Sequence, residues 1–154
     1  MNSIEAKIAT CAKELAEGMG WTQAYAKALI DRALQLDEGY DDGTLHSFLI
    51  AYEAARQGAG GDSEARSRGH FKRAMVLSKG LQASPLVSLA ETISVKNQNV
   101  NEFKALLNQA LAIDVNAKPN WRLVNLVMQR RASWLLSRVD ELFLVADEPK
   151  EKEN

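Results

Sequence analysis

Arg131 is the side chain in this sequence whose spacing most demands a partner. In a helix its neighbours three and four positions away are Val127, Met128, Trp134 and Leu135. That spacing carries a guanidinium into an apolar face, where it must meet a carboxylate, an anionic ligand or water. Buried arginines are usually paired, and Glu91 is the candidate acid. On that reading, removing either member leaves a buried charge and costs about 3–5 kcal/mol. Arg130, next to it, is less embedded. Tyr40, Tyr52, Trp121 and Trp134 could line a cleft, although aromatics at helical spacing more often fill cores than pockets.

The other reactive residue types lead away from catalysis. His46 and His70 have no nearby cysteine and no HExxH spacing, so they read as boundary histidines rather than metal ligands. The run Gly58-Ala59-Gly60-Gly61 follows no strand and lacks the GKS or GKT ending of a phosphate loop, which makes it a surface loop. Arg66, Arg68, Lys72, Arg73 and Lys79 make one segment basic, yet Asp62 and Glu64 stand at its start and no aromatic ladder accompanies it. A solvated helix face with dipole-matched charge is expected there, not a nucleic-acid interface. No nucleophile and base fall into a usable arrangement, so the sequence predicts no enzyme, no cofactor and no metal.

The bulk properties agree with an ordinary folded chain. At 154 residues and 46% hydrophobic content it can bury one core. A formal net charge of −1 gives no bulk attraction for nucleic acid or an anionic membrane. The single cysteine, Cys11, excludes an internal disulfide and sits on an apolar stripe, as a buried thiol does. The N-terminus MNSIEAKIAT has neither a basic n-region nor an apolar h-region, and no run reaches the eighteen or so apolar residues of a membrane span. As written, the chain is expected to be soluble, and export would need a signal segment already removed.

The elements that must position these residues announce themselves as a repeat. Ala26-x3-Ile30-x2-Ala33-Leu34-x-Leu36 returns as Ser67-x3-Phe71-x2-Ala74-Met75-x-Leu77 and as Phe103-x3-Leu107-x2-Ala110-Leu111-x-Ile113. Each copy sets a small residue beside a large one on one helix face, so a neighbouring helix can approach at the alanine. Ala33, Ala74 and Ala110 are therefore expected to be buried at helix crossings. Each copy also has an apolar mate in front: Ile8, Cys11, Ala12 and Leu15; then Leu45, Phe48, Leu49 and Tyr52; then Leu86, Leu89, Ala90 and Ile93. The rhythm is that of tetratricopeptide (TPR) repeats, without their usual tryptophan and closing proline.

Taken in order, the first helix is predicted near 3–16, capped by Asn2, and a second ends near Leu36. The third, about 43–57, is apolar nearly all round and should be buried on several sides, because Ile50, Ala51, Ala54 and Ala55 lie off the main stripe. A fourth opens at Asp62 or Ser63 and stops at Gly80. A fifth is capped by Ser84 ahead of Pro85, and Asn99 with Glu102 starts a sixth. From Pro119 no glycine or proline intervenes before Pro149, which predicts one helix to about Val145, roughly 40 Å long, covering the open end of the stack. The expected fold is all-α over 1–145: a TPR-like superhelix of three antiparallel pairs plus a long C-terminal capping helix. Residues 146–154 form a charged, frayed tail.

Several strings place this chain near a known family. LIDRALQLDEGYDDGTLHSFLIAYEAA, GHFKRAMVLSKG, LAETISVKNQNVNEFKALLNQALAIDV and NLVMQRRASWLLSRVDELFL resemble, in order and spacing, the T-component family of TRAP transporters. The likeness spans about 28–144. It implies an all-helical, non-catalytic accessory protein that binds a periplasmic solute-binding protein, with a homotrimer and a hydrophobic or anionic small ligand as further implications. It also implies a periplasmic location, although the sequence itself leaves a cytoplasmic one open. On the matching strings the family-like positions are Tyr40, Asp42, Gly43, His46, Tyr52, Glu91, Arg130, Arg131 and Trp134. The competing reading from the residues alone is a general TPR scaffold that holds a peptide in its concave groove.

Overall fold

The structure, a computed structural model, describes residues 21–56 and 60–144, and these contain helices and turns but no strand. The first predicted helix, Cys11 and the tail after Leu144 lie outside the described residues. The chain divides into two compact units, 1–45 and 46–154.

In the first unit, α1 (Trp21–Leu36) carries the first repeat copy. Ala33 there is half-buried, not buried as expected. A short 3₁₀ turn, Tyr40–Gly43, follows. Asp41 and Asp42 take left-handed backbone angles, with φ of 44° and 51°. Asp tolerates that region better than most residues because its short side chain bonds locally. Here Asp41 accepts a hydrogen bond from the Thr44 hydroxyl at 2.8 Å.

In the second unit, two helices are capped by residues at their own starts and one is held from a distance. α2 (Thr44–Ala55), which starts at the boundary, buries Leu49, Ile50 and Glu53. Its predicted all-round burial does not hold, because Phe48 on the expected main stripe is 48% exposed. α3 (Ser63–Leu77) is capped by Asp62, which accepts from the backbone N–H groups of Glu64 and Ala65. It closes with Lys79 and Gly80 at positive φ, the Gly80 N–H donating to the Met75 carbonyl.

α4 (Ser84–Leu89) begins differently from the prediction. Ser84 lies inside the helix, the cap position is Ala83, and no side chain of the segment caps it. Asn125 supplies the missing bond, its Oδ1 accepting from the Ala83 N–H at 3.0 Å. A π-helical turn, Ala90–Ser94, continues α4 and carries Glu91 and Ser94. α5 (Val100–Leu111) starts at Asn99 as expected, with Asn99 Oδ1 accepting from the Glu102 N–H. At the other end, Gln129 Nε2 donates to the carbonyls of Ala110, Leu111 and Ile113, satisfying acceptors that a helix terminus leaves unpaired.

The long C-terminal helix is not continuous. A 3₁₀ turn, Pro119–Trp121, leads into α6 (Arg122–Leu136), and a separate short turn α7 (Val139–Leu142) follows. The Ser137 hydroxyl donates to the Trp134 carbonyl at 2.7 Å, and Arg138 leaves helical geometry at φ −116°, ψ 20°. The reason is burial. A straight helix would carry Phe143 roughly 10 Å past Leu136. The break instead returns Phe143 to the core, edge-on to Phe103 with ring centroids 5.0 Å apart. Gln98 fixes the return by donating to the Leu142 carbonyl and accepting from the Leu144 N–H.

α5 packs against α4, the π turn and α6, while α4 also meets α3 and α6. Ile50, Leu86, Ile93, Phe103, Leu107, Ala74 and Ala110 are fully buried. The two later repeat alanines thus sit where the spacing put them. Ala74→Leu is expected to overpack its site and destabilise by about 1–3 kcal/mol. A thermal melt with an unchanged midpoint would contradict that placement. Ala33→Leu, at a half-buried position, should cost less.

Candidate functional site

The predicted pair Arg131 and Glu91 forms, but on the surface. Arg131, on α6, donates from Nε (2.9 Å) and Nη2 (2.5 Å) to the same oxygen, Oε1, of Glu91 on the π turn. The Arg131 side chain is 47% exposed and that of Glu91 30%, so the expected burial of the guanidinium is wrong. Arg131 lies at the edge of the exposed arc of α6. Water therefore screens the pair. Arg131→Ala should cost about 1 kcal/mol or less rather than 3–5, which urea unfolding of the variant and of Glu91→Ala would check.

Trp134 completes this cluster. The Arg131 guanidinium lies 4.6 Å from its ring centroid and that of Arg138 lies 4.8 Å away, distances at which the ring quadrupole attracts a cation. Arg138 also donates to Glu141 at 2.6 Å. Arg138 escaped the sequence reading, although its position four residues after Trp134 was a usable signal. The cluster offers directed N–H donors beside a half-exposed aromatic edge. That chemistry can hold a carboxylate or a polar protein surface.

The remaining predicted residues fall into separate groups. Tyr40 is exposed in the 3₁₀ turn of the first unit. His46 on α2 is buried, and its Nδ1 lies 2.9 Å from Nδ1 of His70 on α3. One ring must donate and the other accept across that contact, so it ties α2 to α3. His70 was read only as a boundary residue. Tyr52 stacks on Phe48 with centroids 5.8 Å apart. Arg130 is exposed on α6. Among the described residues no group of three or more His, Cys, Asp and Glu is placed to hold a metal ion.

The basic segment on α3 is less solvated than expected. Arg66 donates from Nε to Glu53, which is 2% exposed, and Arg68 grips both Glu102 and Glu64. Glu102 also accepts from the Ser94 hydroxyl on the π turn at 2.8 Å. The bond from Arg68 holds the Glu102 carboxyl below its ordinary value of 4.5, with Ser94 adding to the effect against the cost of burial. Bonds from Glu102 and then Glu64 raise Arg68 in return. The sign follows directly. A carboxyl depressed in the folded state stabilises it above pH 4.5, and that stabilisation is lost as pH falls through the depressed value. Glu102→Gln should therefore be less stable than the parent at pH 7 and show a flatter loss of stability below pH 4.5, measured by chemical denaturation across the acid range.

The chain is 25% identical over 119 residues to an uncharacterized protein of Treponema pallidum (strain Nichols), a match covering 77% of this chain and 37% of that protein. The chain thus spans well under half the length of that relative. The model of the TRAP transporter T-component family matches residues 7–143. With nearly its whole length matched, this chain belongs to the TRAP transporter T-component family.

Proposed function

We propose that this chain is a non-enzymatic accessory protein of a TRAP-type solute uptake system, acting in the periplasm by binding the system's solute-binding protein. The observation that carries the reading is the family match over residues 7–143. The site chemistry supports it: exposed arginines and a half-exposed tryptophan on one helix suit protein recognition. Among the described residues no helix is long and apolar enough to cross a membrane. Within the proposal, the helix pairs stack as a TPR-like superhelix, copies associate as a homotrimer, and Glu91, Arg131 and Trp134 with Tyr40, His46, Tyr52 and Arg130 mark ligand or partner contacts. A hydrophobic or anionic small ligand fits the first three best.

The test is direct. The purified chain is titrated with a purified TRAP-type solute-binding protein from the same organism, and a saturable complex is expected by calorimetry. No complex at micromolar concentrations overturns the reading. Organic acids that occupy Arg131 should raise the melting temperature of the parent and leave that of Arg131→Ala unchanged.

A further inference from the structure

α6 carries an uncovered face whose composition specifies what covers it. At 100° per residue, Leu126, Arg130, Leu123, Trp134 and Val127 fall in that angular order within one arc of roughly 100°. The opposite arc, with Asn125, Ala132 and Leu135, is buried. Leu123 is 75% exposed, Val127 52%, Trp134 45% and Leu126 44%. Four large apolar side chains thus stand in water on one helix, with Arg130 near the middle of the arc.

The charge pattern is equally one-sided. From Val115 to Val139 there are five basic residues and no acid, in a chain whose formal net charge is −1. Arg131 and Arg138 at the edge are tied to Glu91 and Glu141. Among the described residues Arg130 makes no ion pair. A tryptophan, leucines and a central arginine are the residue types that concentrate binding energy at protein interfaces. Once the apolar arc is covered, the Arg130 guanidinium loses water and requires a carboxylate in its place.

We propose that this face of α6 docks a partner protein presenting an apolar groove with a carboxylate at its centre, met by Arg130, and further acids at its rim. The inference rests on the reading of the chain as a protein-binding accessory and assigns the surface it uses. A membrane is the weaker occupant. Outside residues 115–139 the chain is net acidic, which opposes an anionic bilayer, and a directed guanidinium fork gains most from a fixed carboxylate.

The experiment uses the full chain and the same TRAP-type solute-binding protein as probe. Arg130→Glu and Trp134→Ala should each weaken the complex about tenfold or more. Lys104→Glu, an exposed charge on α5, should leave affinity within about twofold. Because Arg130 and Lys104 are exposed, those two variants should melt with the parent, while Trp134→Ala gives up its contacts with Arg131 and Arg138 and should melt slightly lower. The parent affinity should also fall with added salt. Unchanged affinity in both α6 variants overturns the docking surface while leaving the accessory reading intact. A parent that binds no solute-binding protein overturns both. Two other results assign the face elsewhere and overturn the inference. One is sedimentation with phosphatidylglycerol vesicles that Arg130→Glu abolishes while protein binding persists. The other is self-association of the parent that the α6 variants dissolve while protein binding persists.

Discussion

Phe103→Ala is expected to lower the stability of the folded chain by about 3–5 kcal/mol. Phe103 opens the third repeat copy and is fully buried on α5, the helix against which α4, the π turn and α6 all pack. Neighbours on three sides cannot all collapse into the space its ring leaves, so the cavity term adds to the lost transfer free energy. Domains of this size have only about 5–15 kcal/mol in total, and the variant should unfold at much lower urea. Phe143→Ala should cost less, because Phe143 is 8% exposed and sits on a short terminal turn. Their edge-on contact predicts a coupling of about 0.5–1.5 kcal/mol in a double-mutant cycle. Urea unfolding that finds less than about 1 kcal/mol for Phe103→Ala would remove this residue from the centre of the core.

The helices of the second unit were legible because their signals are local. The Asp62 cap, the Gly80 stop and the Asn99 start each rest on residues within one helical turn, and all three appear as read. The repeat spacing likewise located Ala74 and Ala110. What failed were the inferences that needed distant information. No local breaker separates Trp121 from Val145, yet the helix ends at Leu136 because Phe143 has a buried place to return to beside Phe103. The π turn at Ala90–Ser94 is also silent in the sequence. Its residues hold sites on two sides, Glu91 with Arg131 and Ser94 with Glu102.

The candidate site shows the same division between partner and depth. Glu91 and Arg131 were paired correctly, since a helical arginine near an acid on a neighbouring segment has few other solutions. The depth was misjudged. Helical spacing three and four away describes which residues flank a side chain, but the exposed arc of α6 is centred near Arg130, and Arg131 lies at its edge. Arg130, read as the less embedded of the two, is the one with Leu126, Val127 and Trp134 around it on the exposed arc. The carboxylate clusters on α3 were missed for a related reason. Arg68 reaches Glu102 across 34 positions, which a scan of charge along one helix cannot see.

Asn125→Ala should be nearly as damaging as the loss of Phe103, at about 2–5 kcal/mol, although it removes almost no apolar surface. Asn125 is 2% exposed and faces the core from α6. Its Oδ1 accepts from the Ala83 N–H at 3.0 Å and its Nδ2 donates to the Leu81 carbonyl at 2.8 Å. These two bonds do for α4 what Ser84 was expected to do, joining its start to another helix instead of capping it from within. Alanine removes the partners of the Ala83 N–H, on a fully buried residue, and of the Leu81 carbonyl, on a half-buried one, and a group left buried and unpaired costs about 1–3 kcal/mol. Asn125→Asp is no rescue. It keeps the acceptor for Ala83 but turns a carboxylate oxygen toward the Leu81 carbonyl, so it should also destabilise, and most strongly at neutral pH where the carboxyl is charged. Amide exchange gives the specific readout: in Asn125→Ala the Ala83 N–H should lose protection well beyond the change in global stability. Protection of Ala83 that tracks global unfolding alone would mean that the start of α4 is held by its apolar packing, and that Asn125 contributes little to it.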